Sequence, residues 1–180
     1  MAEVILVTGG ARSGKSAAAL ELAEGFTPKV FIATAEAFDD EMRDRIARHR
    51  AERGSEWRTI EAPLNLAGAV ASVTDSEAVA VVDCLTVWLG NLLHHEASTT
   101  EDAPACTALL EALRLSSLAR IVLVTNEVGM GIVPAHPLGR RFRDIAGRLN
   151  QRVAAVADRV ILAVCGQLLT IKHSRKTNEL

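Results

Sequence analysis

Short unbroken apolar runs recur along the chain: VILV at residues 4–7, VFIA at 30–33, VAVVD at 79–83, IVLVT at 121–125 and VILAV at 160–164. A strand with one wet face alternates apolar and polar positions, so these runs predict strands covered on both faces. The stretches between them, near 15–25, 38–53, 64–72, 85–95, 104–118 and 138–157, are rich in Ala, Leu, Glu and Arg and predict helices. Such alternation predicts an open, mainly parallel sheet with helices on both faces, a three-layer α/β fold. QLLTIKH at 167–173 adds a last strand for which an antiparallel direction is open, and the polar tail SRKTNEL reads as frayed.

Two helical stretches carry a clear stripe. In the one over 138–157, Phe142, Ile145, Leu149, Val153 and Val156 recur mostly three or four residues apart and predict a core-facing edge. Its arginines are expected in solvent, with Arg140 or Arg143 near the helix start in reach of a phosphate. In the one beginning near Phe38, the residues Phe38, Met42 and Ile46 mark the buried face, and His49 falls three residues beyond Ile46 on the same side. Glu41 with Arg45, Asp44 with Arg48 and Arg48 with Glu52 are i,i+4 pairs contributing about 0.2–0.5 kcal/mol each, which accounts for most of the charge as a solvated face.

Composition narrows the class. A chain of 180 residues with 49% hydrophobic residues predicts one domain over 1–180, burying roughly two-thirds of its surface. A net charge of −2 leaves no cationic excess to track nucleic acid, and no basic run flanks an apolar anchor, so neither nucleic acid nor membrane is an expected partner. The opening MAEVILVTGG has an acid where a signal peptide has bases, and no apolar run approaches the ~20 residues of a membrane span, so a cytoplasmic protein is expected. Cys84, Cys106 and Cys165 lack metal or disulfide spacing and read as reduced thiols.

The strongest local chemistry directly follows the first strand. In GGARSGKS, Gly9, Gly14, Lys15 and Ser16 satisfy G-x-x-x-x-G-K-[ST], with Gly10, Ala11, Arg12 and Ser13 between, in the order strand, loop, helix that the pattern requires. Glycines let successive N–H groups turn inward onto phosphate oxygens, Lys15 can reach the β and γ phosphates, and the Ser16 hydroxyl can ligate Mg²⁺. Asp83, closing a strand, is the matching acid for the metal shell, and an ordinary strand-ending turn residue is the alternative. Glu127 after IVLVTN is a weaker candidate for the same neighbourhood, because parallel strands deliver their C-terminal ends to one sheet edge, and an acid at a helix start is the alternative.

A guanine-reading N-K-x-D is absent, and the lone D-x-x-G at 144–147 falls inside a helical pattern. That points away from a signalling GTPase and toward a small-molecule phosphotransferase or a nucleotide-regulated module. TNEVGMGIVPAHP at 125–137 reads either as a loop shaping an acceptor pocket or as a long surface connection. His94 and His95 project about 100° apart in a helix and make a poor two-ligand clamp. His136 and His173 carry no signal of their own.

His49 admits two readings: a boundary histidine at the edge of the core, or a nucleophile. An ordinary imidazole is mostly neutral at pH 7, and its free nitrogen can attack phosphorus. Attack on the α-phosphate of a nucleoside triphosphate would expel pyrophosphate and leave a phosphoramidate, with Arg45, Arg48, Arg50 and Arg53 near to neutralise charge.

Taken together, GGARSGKS, DDEMRDRIARHR, VDCLT, TNEVGMGIVP and FRDIAGRLNQRVAAVAD, in order from residue 4 to about 166, resemble the family of bifunctional adenosylcobinamide kinases and adenosylcobinamide-phosphate guanylyltransferases. P-loops are widespread, but TNEVGMGIVP and FRDIAGRLNQ are far more restricted. The resemblance implies a RecA-like P-loop NTPase fold, a homotrimer and two reactions. A nucleoside triphosphate, GTP or ATP, phosphorylates adenosylcobinamide; then GMP passes from GTP to a histidine and on to adenosylcobinamide phosphate, giving adenosylcobinamide-GDP. Carried onto this chain, residues 9–16 hold GTP phosphates with Mg²⁺ at Ser16 and Asp83, His49 is the guanylylated nucleophile, and Lys15 acts with it. Thr34, Ala35, Glu36, Arg50, Ala51, Glu52, Arg53, Glu61 and Asp83 complete the nucleotide site. Some family members have a second histidine just before the nucleophile, where this chain has Arg48. A kinase of another small alcohol without a covalent intermediate, and a nucleotide-switched binding module, are the competing readings.

Overall fold

The computed structural model describes residues 1–36, 54–96 and 98–173. The expected helix over 38–53, with His49, Arg50, Ala51, Glu52 and Arg53, and the tail after 173 lie outside the described residues. Along the chain come β1 (Glu3–Gly9), α1 (Lys15–Glu21), β2 (Lys29–Ala33), β3 (Trp57–Glu61), α2 (Leu66–Ala71), β4 (Val79–Asp83), α3 (Leu85–His95) and α4 (Pro104–Leu115). Then follow β5 (Arg120–Val124), a 3₁₀ turn (Val128–Met130), α5 (Pro137–Val156), β6 (Arg159–Val164) and β7 (Gln167–His173).

The strands form one sheet in the order β3-β2-β4-β5-β1-β6-β7. Only the β6–β7 pair is antiparallel. Alternation along the strands divides the core between two faces. Val4, Leu6, Ile32, Val82, Leu123 and Val160 point to the face covered by α2, α3, α4 and α5. Ile5, Val7, Phe31, Val81, Val124 and Ile161 point to the other, where α1 contributes Ala18 and Ala19. Both faces are dry, which is why the strands read as continuous apolar runs rather than alternating ones.

Two expectations need correction. β3 was not foreseen from its apolar pattern. WRTIE carries two charges in five residues and pairs on one side only, so it lacks the double-sided burial that marks the other parallel strands. The arginines of α5 are not simply solvated either. Arg141 Nη2 donates to Thr99 O at 3.0 Å, and Arg148 Nη1 to Glu101 Oε1 at 2.7 Å. Arg152 Nη1 donates to Glu101 O and, at 2.9 Å, to Asp102 Oδ1. They fasten the connection between α3 and α4 onto α5. The foreseen stripe holds: Ile145, Leu149 and Val153 are buried, and Phe142 and Val156 pack against the core.

Candidate functional site: the C-terminal edge of the sheet

Residues 9–14 make a tight loop between β1 and α1, and its glycines are there for space. Gly9 (φ 152°) runs so close to β6 that a Cβ would stand 2.3 Å from Ala163 O, and Gly14 (φ 97°) faces Gly166 Cα, 3.3 Å from where a Cβ would be. No other residue fits these two positions without moving backbone. The turn between β6 and β7 closes on the loop, with Gly166 N donating to Ser13 O at 3.0 Å. Lys15 is buried, and its ammonium donates to Gly10 O at 2.5 Å and Ser13 Oγ at 3.4 Å. Burial lowers its pKa, while the charge of Asp83 pulls in the opposite direction, so the acid is within electrostatic reach of the loop lysine. Ser16 is exposed on the first turn of α1.

Register aligns the remaining candidates. Glu61 pairs with Ala33, Ala33 with Asp83, Asp83 with Val124, and Val124 with Val7, two residues before the loop. Glu61, Ala33 and Asp83 therefore end three strands in one row. With strands about 4.8 Å apart, Asp83 stands about 10 Å and Glu61 about 19 Å from β1. Asp83 therefore stands nearer the loop after β1 than Glu61 does, by two strands of the row.

Thr34 is buried, and its hydroxyl is consumed internally, accepting from Cys84 N and donating to Cys84 O, both at 2.8 Å. Its carbonyl accepts from Asn91 Nδ2 at 2.7 Å. Thr34 thus locks β2 to β4 and α3, and the two residues after it, Ala35 and Glu36, are half-buried. Glu36 Oε2 meets His95 Nε2 at 3.1 Å, a pairing between the end of β2 and the end of α3 that no sequence pattern announced. His94 and His95 stack edge to face, 5.5 Å between ring centres.

A second set, also unforeseen, encloses the end of β5. Asn126 N donates to Thr86 Oγ1 at 2.7 Å, and Thr86 lies 3.2 Å from Thr125 Oγ1. The Thr125 hydroxyl donates to Asn150 Oδ1 at 2.8 Å, and Asn150 Nδ2 returns to Asn126 O at 3.3 Å. Since Thr125 spends its proton on Asn150, Thr86 must donate to Thr125, and the bonds close into a ring. Glu127 emerges from this ring against the phosphate loop, its N–H donating to Gly9 O at 3.0 Å and its Oε2 accepting from Thr8 Oγ1 at 3.2 Å. Arg140 Nη1 donates to Pro134 O and Ala135 O. Arg143 has a buried Nη1 without a hydrogen-bond partner among the described residues.

Among the described residues no group of three or more His, Cys, Asp or Glu side chains could hold a metal by itself. The oxygens of Ser16 and Asp83 suit a hard divalent cation such as Mg²⁺, which takes few protein ligands and completes its shell with phosphate and water. Cys84 and Cys106 are buried, and burial pushes both thiols up to about 11. A cleft of about 490 Å³ between α4 and α5, lined by Leu110, Glu111, Arg114 and Arg152, lies in the helical layer away from these residues. No helix of the described residues is long and apolar enough to cross a membrane.

Solved structures share this architecture. A prototypical ATPase from the type III secretion system of pathogenic bacteria superposes with a TM-score of 0.50 at 11% identity, over 89% of this chain and 50% of that one. The ATPase EscN, assembled with its central stalk EscO in enteropathogenic E. coli, gives 0.51 at 11%, over 89% of this chain and 42% of that one. This chain spans half or less of those longer ATPases, and the likeness shows the fold: a RecA-like P-loop NTPase. Closer in sequence are the bifunctional adenosylcobalamin biosynthesis protein CobP of Pseudomonas aeruginosa, 46% identical over 93% of this chain and 96% of its own, and CobU of Escherichia coli K12, 42% identical over 94% and 99%. The family model for cobinamide kinase / cobinamide phosphate guanyltransferase matches residues 5–171, and the chain belongs to that enzyme family.

Proposed function

We propose that the protein phosphorylates adenosylcobinamide with a nucleoside triphosphate and then transfers GMP from GTP, through a guanylylated His49, to the phosphate it has made. In the first step the acceptor hydroxyl attacks the γ-phosphorus held over residues 9–16, with Gly9, Gly10, Ala11, Arg12, Ser13 and Gly14 offering backbone and Lys15 its ammonium. In the second, an imidazole nitrogen of His49 attacks the α-phosphorus and pyrophosphate leaves. An oxygen of adenosylcobinamide phosphate then attacks the same phosphorus, releasing His49 and forming adenosylcobinamide-GDP. Ser16 and Asp83 would hold Mg²⁺, which neutralises phosphate charge. Ala35, Glu36, Glu61 and the run Arg50, Ala51, Glu52, Arg53 extend the nucleotide site, and Thr34 holds its floor. The assembly is a cytoplasmic homotrimer of one-domain chains, by family resemblance.

The observation that carries this reading is the register that brings Asp83 to the sheet edge from which the loop at residues 9–14 leaves β1, in a chain that belongs to this family. The experiment is incubation with GTP labelled at the α-phosphate, followed by denaturation. Label retained on the wild type, acid-labile, alkali-stable and lost in His49→Ala, is the expected result. No retained label would leave a kinase without a covalent intermediate. GTP binding with no turnover of cobinamide would favour a nucleotide-switched module.

A further inference from the structure

We propose that Glu127 and the apolar segment after it form the acceptor side of the kinase site: Glu127 takes the proton of the acceptor hydroxyl, and Met130, Ile132 and Val133 hold the apolar body of the corrinoid. This rests on the kinase reading above and assigns residues to its unassigned half.

Glu127 is the described carboxylate fastened directly to the start of the phosphate loop, by its amide on Gly9 O at 3.0 Å and by Thr8 Oγ1 on its Oε2 at 3.2 Å. The ring through Thr86, Thr125 and Asn150 fixes the two residues before it. Lys15 Nζ sits on the next carbonyl of that loop, Gly10 O, so the Glu127 amide and the ammonium that reaches the transferred phosphate are bound to adjacent peptide units, with the carboxylate held beside them by the Thr8 hydroxyl. The second oxygen of Glu127 faces Gly129, where an added Cβ would stand 3.7 Å away in ordinary contact, so the glycine puts no side chain over it.

Beyond Gly129 the chain turns apolar and outward: Met130 is 77%, Ile132 96% and Val133 60% exposed. The chain just after it is pinned, since Arg140 Nη1 bonds Pro134 O and Ala135 O, and Gly139 leaves room for the Pro134 ring. Large apolar side chains clustered in the open beside polar groups mark a binding surface. A nucleotide has its phosphates to bind and little apolar bulk to cover. The corrin macrocycle, with its methylated rim, is the substrate with a broad apolar face, and its hydroxyl must reach the same phosphate loop.

In the step, the acceptor hydroxyl oxygen forms the bond to the γ-phosphorus. The bond from that phosphorus to the β–γ bridging oxygen breaks, its electron pair leaving with the nucleoside diphosphate, and the hydroxyl proton passes to Glu127 and then to water.

The test measures phosphate transfer from nucleoside triphosphate to cobinamide in the full chain, over a range of cobinamide and Mg²⁺ concentrations. Glu127→Gln should lower kcat by about a hundredfold or more, with KM for cobinamide and half-saturating Mg²⁺ within about threefold of wild type. A Met130→Ser/Ile132→Ser double variant should raise KM for cobinamide about tenfold, with kcat and the mass by light scattering unchanged. A Glu127→Gln enzyme with near-wild-type kcat overturns the proposal, as does a raised Mg²⁺ requirement, which would make Glu127 a metal ligand. An unchanged KM in the double variant, or an altered mass showing that a second copy covers the segment, also overturns it. A wild type that phosphorylates no cobinamide sinks the kinase reading and this proposal together, whereas the outcomes above sink the proposal alone.

Discussion

Thr125 gives its hydroxyl proton to Asn150 Oδ1 at 2.8 Å, tying the end of β5 to the middle of α5. Asn150 is only 8% exposed. Asn150→Leu would strand the Thr125 hydroxyl and the Asn126 carbonyl, costing about 1–3 kcal/mol for the buried group left unpaired. Asn150→Asp keeps the acceptor but sets an oxygen against Asn126 O, and should lose more activity than stability. Urea unfolding and phosphate-transfer kcat, measured on the same preparations, check both.

Gly9→Ala tests the phosphate loop without touching its charges. The added methyl would meet Ala163 O, a backbone atom of β6, and would also demand a positive φ. The expected result is a loss of more than about 1 kcal/mol of stability together with weakened nucleotide binding. Titration calorimetry with GTP and a thermal melt read the two effects, and a variant that binds GTP as tightly as wild type would contradict the geometry.

The fastening of the α3–α4 connection should be visible in the pH dependence of stability. The hydrogen bond from Arg148 holds the Glu101 carboxyl below its ordinary value of 4.5. A folded-state pKa depressed in this way contributes stability above that value, and the contribution is lost as pH falls below it through the folded pKa. Glu101→Gln should therefore flatten the decline in the urea midpoint between about pH 5 and about pH 3. An unchanged slope would show that the pair contributes nothing measurable.

Thiol chemistry gives a separate check. Cys165 is exposed in the turn beside the phosphate loop, while Cys84 and Cys106 are buried with pKa values of about 11 against an ordinary 9.0. Two units means about a hundredfold less thiolate in each buried thiol at neutral pH. Native alkylation followed by peptide mass spectrometry should find Cys165 modified first, and all three only after denaturation.

These residues also show what a sequence can tell. The loop opening at Gly9 was readable because its pattern lies in eight consecutive residues with a strand before and a helix after. The place of Asp83 on the loop's edge of the sheet was readable because parallel strands bring their C-terminal ends to one edge. The ring around Asn126 was not, because Thr86, Thr125 and Asn150 come from three elements and each alone resembles an ordinary polar residue. Glu36 with His95 is hidden for the same reason. β3 escaped because an edge strand is selected by one neighbour, not by burial on two faces, and its pattern is correspondingly mixed.

Lys15 adds a last consequence. Its ammonium donates to Gly10 O and Ser13 Oγ, which uses two of its three N–H bonds. The positive charge is therefore anchored before any ligand arrives, and an anion at this loop would meet a donor whose position is already set.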